Sequence, residues 1–134
     1  MERALRFFVL IHLAMLPLTM QEIAEGACSC AVFAVPGLEP LIEHRLRYNV
    51  RCDQDGTEKC QQLCIALAEG VRDEAPMLIC EKLNTHVEKL KVAVYMKSCD
   101  VTFWTFTGLE STEPICCHEG KAVACDEALS IIEN

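Results

Sequence analysis

Asp55-Gly56-Thr57-Glu58-Lys59-Cys60-Gln61-Gln62-Leu63-Cys64-Ile65-Ala66-Leu67-Ala68-Glu69-Gly70 places Cys60, Leu63, Cys64 and Leu67 at i, i+3, i+4 and i+7, one face of a helix. Asp55 or Thr57 is suited to cap the free N–H groups at its start, and Glu58 fits the positive end of the helix dipole. Gly70 supplies a stop. Cys60 and Cys64, one turn apart, point outward together rather than at each other. The expectation is that they bond to two different segments and pin the helix on the core. A second, shorter helix is expected from Pro76, acceptable in a first turn, through Met77, Leu78, Ile79 and Cys80 to Leu83.

On either side of these helices the periodicity changes to two. Cys28-Ser29-Cys30-Ala31-Val32-Phe33 reads as a short strand, followed by a loop through Pro36, Gly37 and Pro40. From Arg45 to Arg51, Leu46, Tyr48 and Val50 alternate with Arg45, Arg47, Asn49 and Arg51, the pattern of a half-buried strand. Lys91 to Lys97 puts Val92, Val94 and Met96 on one face and Lys91, Ala93, Tyr95 and Lys97 on the other. Val101-Thr102-Phe103-Trp104-Thr105-Phe106-Thr107 is β-branched and aromatic, and reads as a further strand. Ile115 to Cys125, with Glu119-Gly120 near its middle, reads as a hairpin, and Asp126 to Asn134 as a short helix or frayed end. These elements predict an α+β fold: a small, disulfide-rich single domain with an antiparallel sheet and two short helices.

The cysteines fix the compartment. All ten, Cys28, Cys30, Cys52, Cys60, Cys64, Cys80, Cys99, Cys116, Cys117 and Cys125, follow a segment with the shape of a secretory leader. Arg3 and Arg6 give its positive end, and Phe7 to Leu18 form an apolar run broken only by His12 and Pro17. Ala24 and Gly26 place cleavage before Ala27. The run is shorter than the roughly 20 residues of a membrane-spanning helix. The chain thus divides into a signal peptide, 1–26, and a cysteine-rich secreted domain, 27–134, soluble and extracellular. An even set of cysteines in an oxidising compartment is expected to pair fully. Cys116 and Cys117 would project to opposite faces of a strand, so each should have its own distant partner. The pairing itself stays open at this level.

Composition argues against several functions. A net charge of −8 makes nucleic acid a poor partner. Cys116-Cys117-His118-Glu119 resembles the cysteine-histidine helix of secreted phospholipases, but Gly120 and the β pattern oppose a helix there. Paired cysteines leave no thiolate for a cysteine protease. His86-Val87-Glu88 and His118 offer metal-ligand atoms, yet no close CxxC pair accompanies them, and Cys28-x-Cys30 and Cys60-x3-Cys64 suit disulfides. His44, His86 and His118 are therefore assigned to the surface, with no metal and no cofactor expected. No phosphate loop, serine elbow or Asn-x-Ser/Thr acceptor is present in the sequence. Arg45, Arg47, Arg51, Lys91 and Lys97 form a candidate interaction face for an anionic polymer or acidic protein, set against the plainer role of covering a sheet edge.

The cysteine-bearing motifs carry one further signal. Cys28-Ser29-Cys30-Ala31-Val32-Phe33, Lys59-Cys60-x3-Cys64, Pro76-Met77-Leu78-Ile79-Cys80, Lys97-Ser98-Cys99 and Cys116-Cys117-x2-Gly120-Lys121-x3-Cys125, in that order, resemble the insect follicle cell protein 3C family. The resemblance implies a small protein secreted by ovarian follicle cells, associated with eggshell formation and without catalytic residues to carry over. The expectation is a secreted, non-enzymatic, disulfide-stabilised protein whose partners are extracellular matrix or eggshell proteins. Two alternatives stand beside it. Cys30, Cys60, Cys64, Cys99, Cys116 and Cys125 also imitate the order in insect odorant-binding proteins, which are all-helical carriers of apolar ligands. A secreted receptor-binding or defence-type disulfide protein is the other.

Overall fold

The strand expected at Cys28–Phe33 lies at the middle of the structure, a computed structural model that describes residues 24–125. As β1 (Glu25–Ala34) it is longer than its sequence signal and is paired on both edges. The remaining elements are β2 (Pro40–Arg51), α1 (Gln54–Gly70), α2 (Ala75–Leu83), β3 (Val87–Leu90), β4 (Val92–Ser98), β5 (Thr105–Glu110), β6 (Ile115–His118) and β7 (Lys121–Val123). β1 begins two residues before the cleavage point expected ahead of Ala27: Glu25 pairs with Arg51, and Ala24 accepts a bond from the Cys52 N–H at 2.8 Å. The tail expected at Asp126–Asn134 lies outside the described residues.

The α+β class holds, with one amendment: the described residues form two antiparallel sheets, not one. Four strands run in the order β2-β1-β4-β5, and three in the order β3-β6-β7. β3 was not legible, because its four residues are too few to display a period, and Lys89 within it takes φ 51. The hairpin is as expected, β6 and β7 joined through Glu119 and Gly120, both at positive φ (50 and 78). Such a two-residue turn twists in the same sense as the strands it joins.

Helix α1 forms where expected but begins differently. Asp53 is its N-cap, not Asp55 or Thr57, and accepts from the Gly56 N–H at 2.8 Å. The Thr57 hydroxyl donates back to the Asp53 carbonyl instead. Gly56 is buried against β2, and a Cβ there would lie 1.7 Å from the Arg51 carbonyl oxygen. A residue without a side chain therefore lets the first turn seat directly on the end of the strand. Gly70 is the last helical residue, though without a left-handed φ; the Val71 N–H returns to the Leu67 carbonyl at 3.2 Å, and the chain turns through Val71–Glu74 into α2. Helix α2 matches expectation, with Pro76 in its first turn and Asn84 as a left-handed cap at φ 47.

The partners of Cys60 and Cys64 correct the sequence reading. Both bond to β1, Cys28–Cys60 and Cys30–Cys64, rather than to two separate segments. Four helical residues advance about 6 Å and two strand residues about 6.7 Å, so one turn of helix matches one period of strand. The Cα–Cα distances of 5.6 and 5.4 Å are nearly equal as a result. Val50, Val94 and Met96 complete this buried cluster, with Leu46, Leu63 and Ala68 packed on it. A second cluster, Ile79, Cys80, Val92, Ile115 and Cys117, joins α2 and the small sheet to the other end of the large sheet's inner face.

Two strand expectations need adjustment. Tyr48 is exposed, not half-buried, because β2 carries two more residues than β1 between the pairs Ala27↔Asn49 and Ser29↔Arg45, and the bulge throws Tyr48 out. Leu46 and Val50 stay on the inner face because a two-residue shift preserves parity. Val101–Thr107 is not one strand. The chain reverses at Cys99 (φ 60), runs irregularly through Trp104, and starts β5 only at Thr105. Aromatic and β-branched composition signals packing as readily as extension, and Trp104 packs on Phe33. The faces expected for Lys91 to Lys97 hold in β4, where Val92, Val94 and Met96 are buried on the inner side, and Ala93 is buried on the other. It is a central strand, between β1 and β5.

Candidate interaction surfaces

Five disulfides hold this arrangement: Cys28–Cys60, Cys30–Cys64, Cys52–Cys99, Cys80–Cys117 and Cys116–Cys125. All ten cysteines are used, and none is free. The adjacent Cys116 and Cys117 do have separate partners. Cys117 reaches back 37 residues to α2, whereas Cys116 takes a near partner across its own hairpin, Cys125, rather than a distant one. Cys28, Cys30 and Cys64 bring their sulfurs close together, but disulfide sulfurs are not thiolates and do not ligate metal as thiolates do.

The five cations singled out in the sequence do not form one face. Arg45 and Lys97 are brought together in a transverse row, each paired opposite Ser29 from its own side of β1. Paired residues share a face, so both project to the outer side of the sheet. Arg47 lies in the β2 bulge and is exposed. Arg51 is engaged by Asp53 at 3.2 Å, and this exposed pair contributes little to stability. Lys91 stands at the opposite end of β4 from Lys97, where its carbonyl accepts from the Val35 N–H at 2.9 Å.

An aromatic cluster beside Lys97 escaped the sequence reading. Phe33 and Tyr95 lie 4.7 Å apart between ring centroids, Tyr95 and Phe106 5.4 Å, and Phe33 and Trp104 6.0 Å. Lys97 Nζ sits 4.5 Å from the centre of the Trp104 ring, a cation–π contact. The outward alternation of Ala93, Tyr95 and Lys97 was visible; which loop aromatic would fold over it was not. Phe106 remains exposed at its rim, and Phe103, next to Trp104 in the chain, is exposed as well. The outer face thus presents Arg45, Lys97 and exposed aromatic edges together, a surface chemically suited to a protein or polymer carrying carboxylates.

On the inner side, a cleft of about 280 Å³ opens where α1 meets α2. Val32, Ile79, Val92, Val94 and Leu109 form its apolar floor, with Glu69, Arg72 and Glu113 among its lining residues. Its size falls just below the roughly 300–1,000 Å³ of small-molecule sites. The all-helical fold that an odorant-binding resemblance implies is not the one this chain adopts. Among the described residues, no helix is long and apolar enough to cross a membrane.

The family model of the follicle cell protein 3C C-terminal domain matches residues 16–132. Comparison with curated proteins and with solved structures gives no match.

Proposed function

The chain belongs to the follicle cell protein 3C family, and from that membership we propose that it is a secreted, non-enzymatic structural protein of the insect follicle cell and eggshell. The observation that carries the reading is the closed disulfide set: every cysteine is paired within the chain, α1 being bonded to the large sheet and α2 to the small one, while buried side chains join the two halves. A domain built in this way resists proteolysis and keeps its surfaces in place outside the cell. With no thiol left for linkage, it joins its neighbours through surfaces rather than disulfides. The outer face with Arg45, Lys97 and the exposed aromatic rim is the surface offered to an acidic matrix protein.

Two measurements test this. Immunolocalisation should place the protein in follicle cells during eggshell deposition and then in the shell; its absence from both defeats the assignment. Denaturant without reductant should release it from eggshell as a monomer. Release only after reduction would show intermolecular disulfides and overturn the non-covalent mode of attachment.

A further inference from the structure

His86 and His118, separated by 32 residues in sequence, stand ring against ring with their Nδ1 atoms 3.4 Å apart. The pairing of the small sheet creates this contact. Val87 pairs with Cys117, so the antiparallel register places His86 opposite His118 at the next step, on the face away from buried Cys117. Asn84, the left-handed cap of α2, turns the chain toward β3, and the Glu119-Gly120 turn follows His118 directly. The rings are nearly perpendicular, at 81°, and both are partly open to solvent.

The outer nitrogens face carboxylates. His86 Nε2 lies 3.3 Å from Glu88 Oε1, and His118 Nε2 lies 3.9 Å from Glu119 Oε1. The Glu88 contact favours the His86 ring proton on Nε2 and leaves its Nδ1 free toward His118, whereas Glu119 lies beyond hydrogen-bond distance and sets only its charge beside His118. The two Nδ1 atoms stand 3.4 Å apart, longer than the ordinary range of about 2.7–3.2 Å for an N–H donor. That separation suits a shared cation better than a hydrogen bond. Two imidazole nitrogens about 2.05 Å from a tetrahedral zinc lie about 3.3–3.4 Å from each other. Lys121 pairs opposite His118 across the hairpin, and its charge is set against those of Glu88 and Glu119.

We propose that His86 and His118 form a binding site for one divalent transition-metal ion of the zinc or copper class, held by both Nδ1 atoms, with Glu88 as the orienting carboxylate of His86 and Glu119 adding negative charge beside His118. The remaining coordination positions face solvent. Imidazole ligands select this class over calcium or magnesium, which take oxygen. The site uses none of the cysteine motifs, all of which are closed in disulfides. The ligands come from the residue just before β3 and from the last residue of β6, and meet only through strand register.

Titration of the purified protein with zinc chloride, followed by calorimetry, is expected to show one equivalent bound. H86A and H118A should each weaken binding about tenfold or more, and E88A should weaken it by a similar factor through the orienting hydrogen bond. H44A, which alters an exposed histidine on β2, should leave binding unchanged. Calcium chloride should give no heat of binding at this site. Ring resonances of His86 and His118 in the unmutated protein provide a reading independent of variant folding: zinc should shift both and leave His44 in place. Absence of zinc uptake, equal binding by wild type and H118A, or shifts confined to His44 would overturn the site.

Discussion

Where α1 meets β1, two buried disulfides, Cys28–Cys60 and Cys30–Cys64, join elements separated by 32 and 34 residues. At the small sheet, Cys80–Cys117 spans 37 residues, but its neighbour Cys116–Cys125 spans only 9. Loop-closure entropy makes a 32-residue cross-link worth about 3.7 kcal/mol and a 9-residue one about 2.6 kcal/mol. The first end is a clamp between layers of the fold, while the outermost bond of the second secures a local hairpin that strand pairing already favours. The difference assigns different duties to the two ends. One holds the domain together, and the other holds the surface that carries His86 and His118.

Removing both partners of Cys28–Cys60 by C28A/C60A should have the largest effect. A loss of about 4 kcal/mol is a large share of the roughly 5–15 kcal/mol available to a domain, and both side chains are fully buried. Thermal melting followed by circular dichroism should show the whole transition moving downward. C116A/C125A should cost about 2.5 kcal/mol, and amide exchange should rise mainly in β6 and β7 while α1 stays protected. Equal losses in the two variants, or loss of α1 protection in the second, would break the division between the ends.

Smaller substitutions sharpen it. At the hairpin, G120A places a side chain at φ 78, with its Cβ 2.8 Å from Asn84 Oδ1, and should cost about 1–2 kcal/mol in urea unfolding. At the helix, D53A removes the acceptor for the Gly56 N–H and should cost about 1 kcal/mol in the same assay. Its effect should be read at the start of α1, whereas that of G120A should be read at the turn.

The elements most legible in the chain were those with a long enough period to declare themselves. Cys60 to Leu67 and Val92 to Met96 gave their faces directly, and Glu119-Gly120 its turn. Short or irregular elements did not: β3 has four residues, and Val101–Trp104 has strand composition without strand geometry. The cap was misplaced by two residues because Asp53 and Asp55 are chemically alike. Only the close approach of Gly56 to the Arg51 carbonyl distinguishes them. Of the five cations, sequence could place Arg45, Arg47 and Arg51 on one segment; that Lys97 joins Arg45 while Lys91 does not is a matter of pairing across β1.

The amino-acid sequence by itself determined the compartment expected, the cysteine inventory, the α+β class and the helical face bearing Cys60 and Cys64, because these follow from composition and local periodicity. Tertiary structure decided which cysteine meets which, that the sheet divides in two, that Trp104 covers the outer face, and that His86 meets His118. Those outcomes depend on strand register and on the match between a helical turn and a strand period. Both are relations between segments far apart in the chain, and local spacing does not encode them.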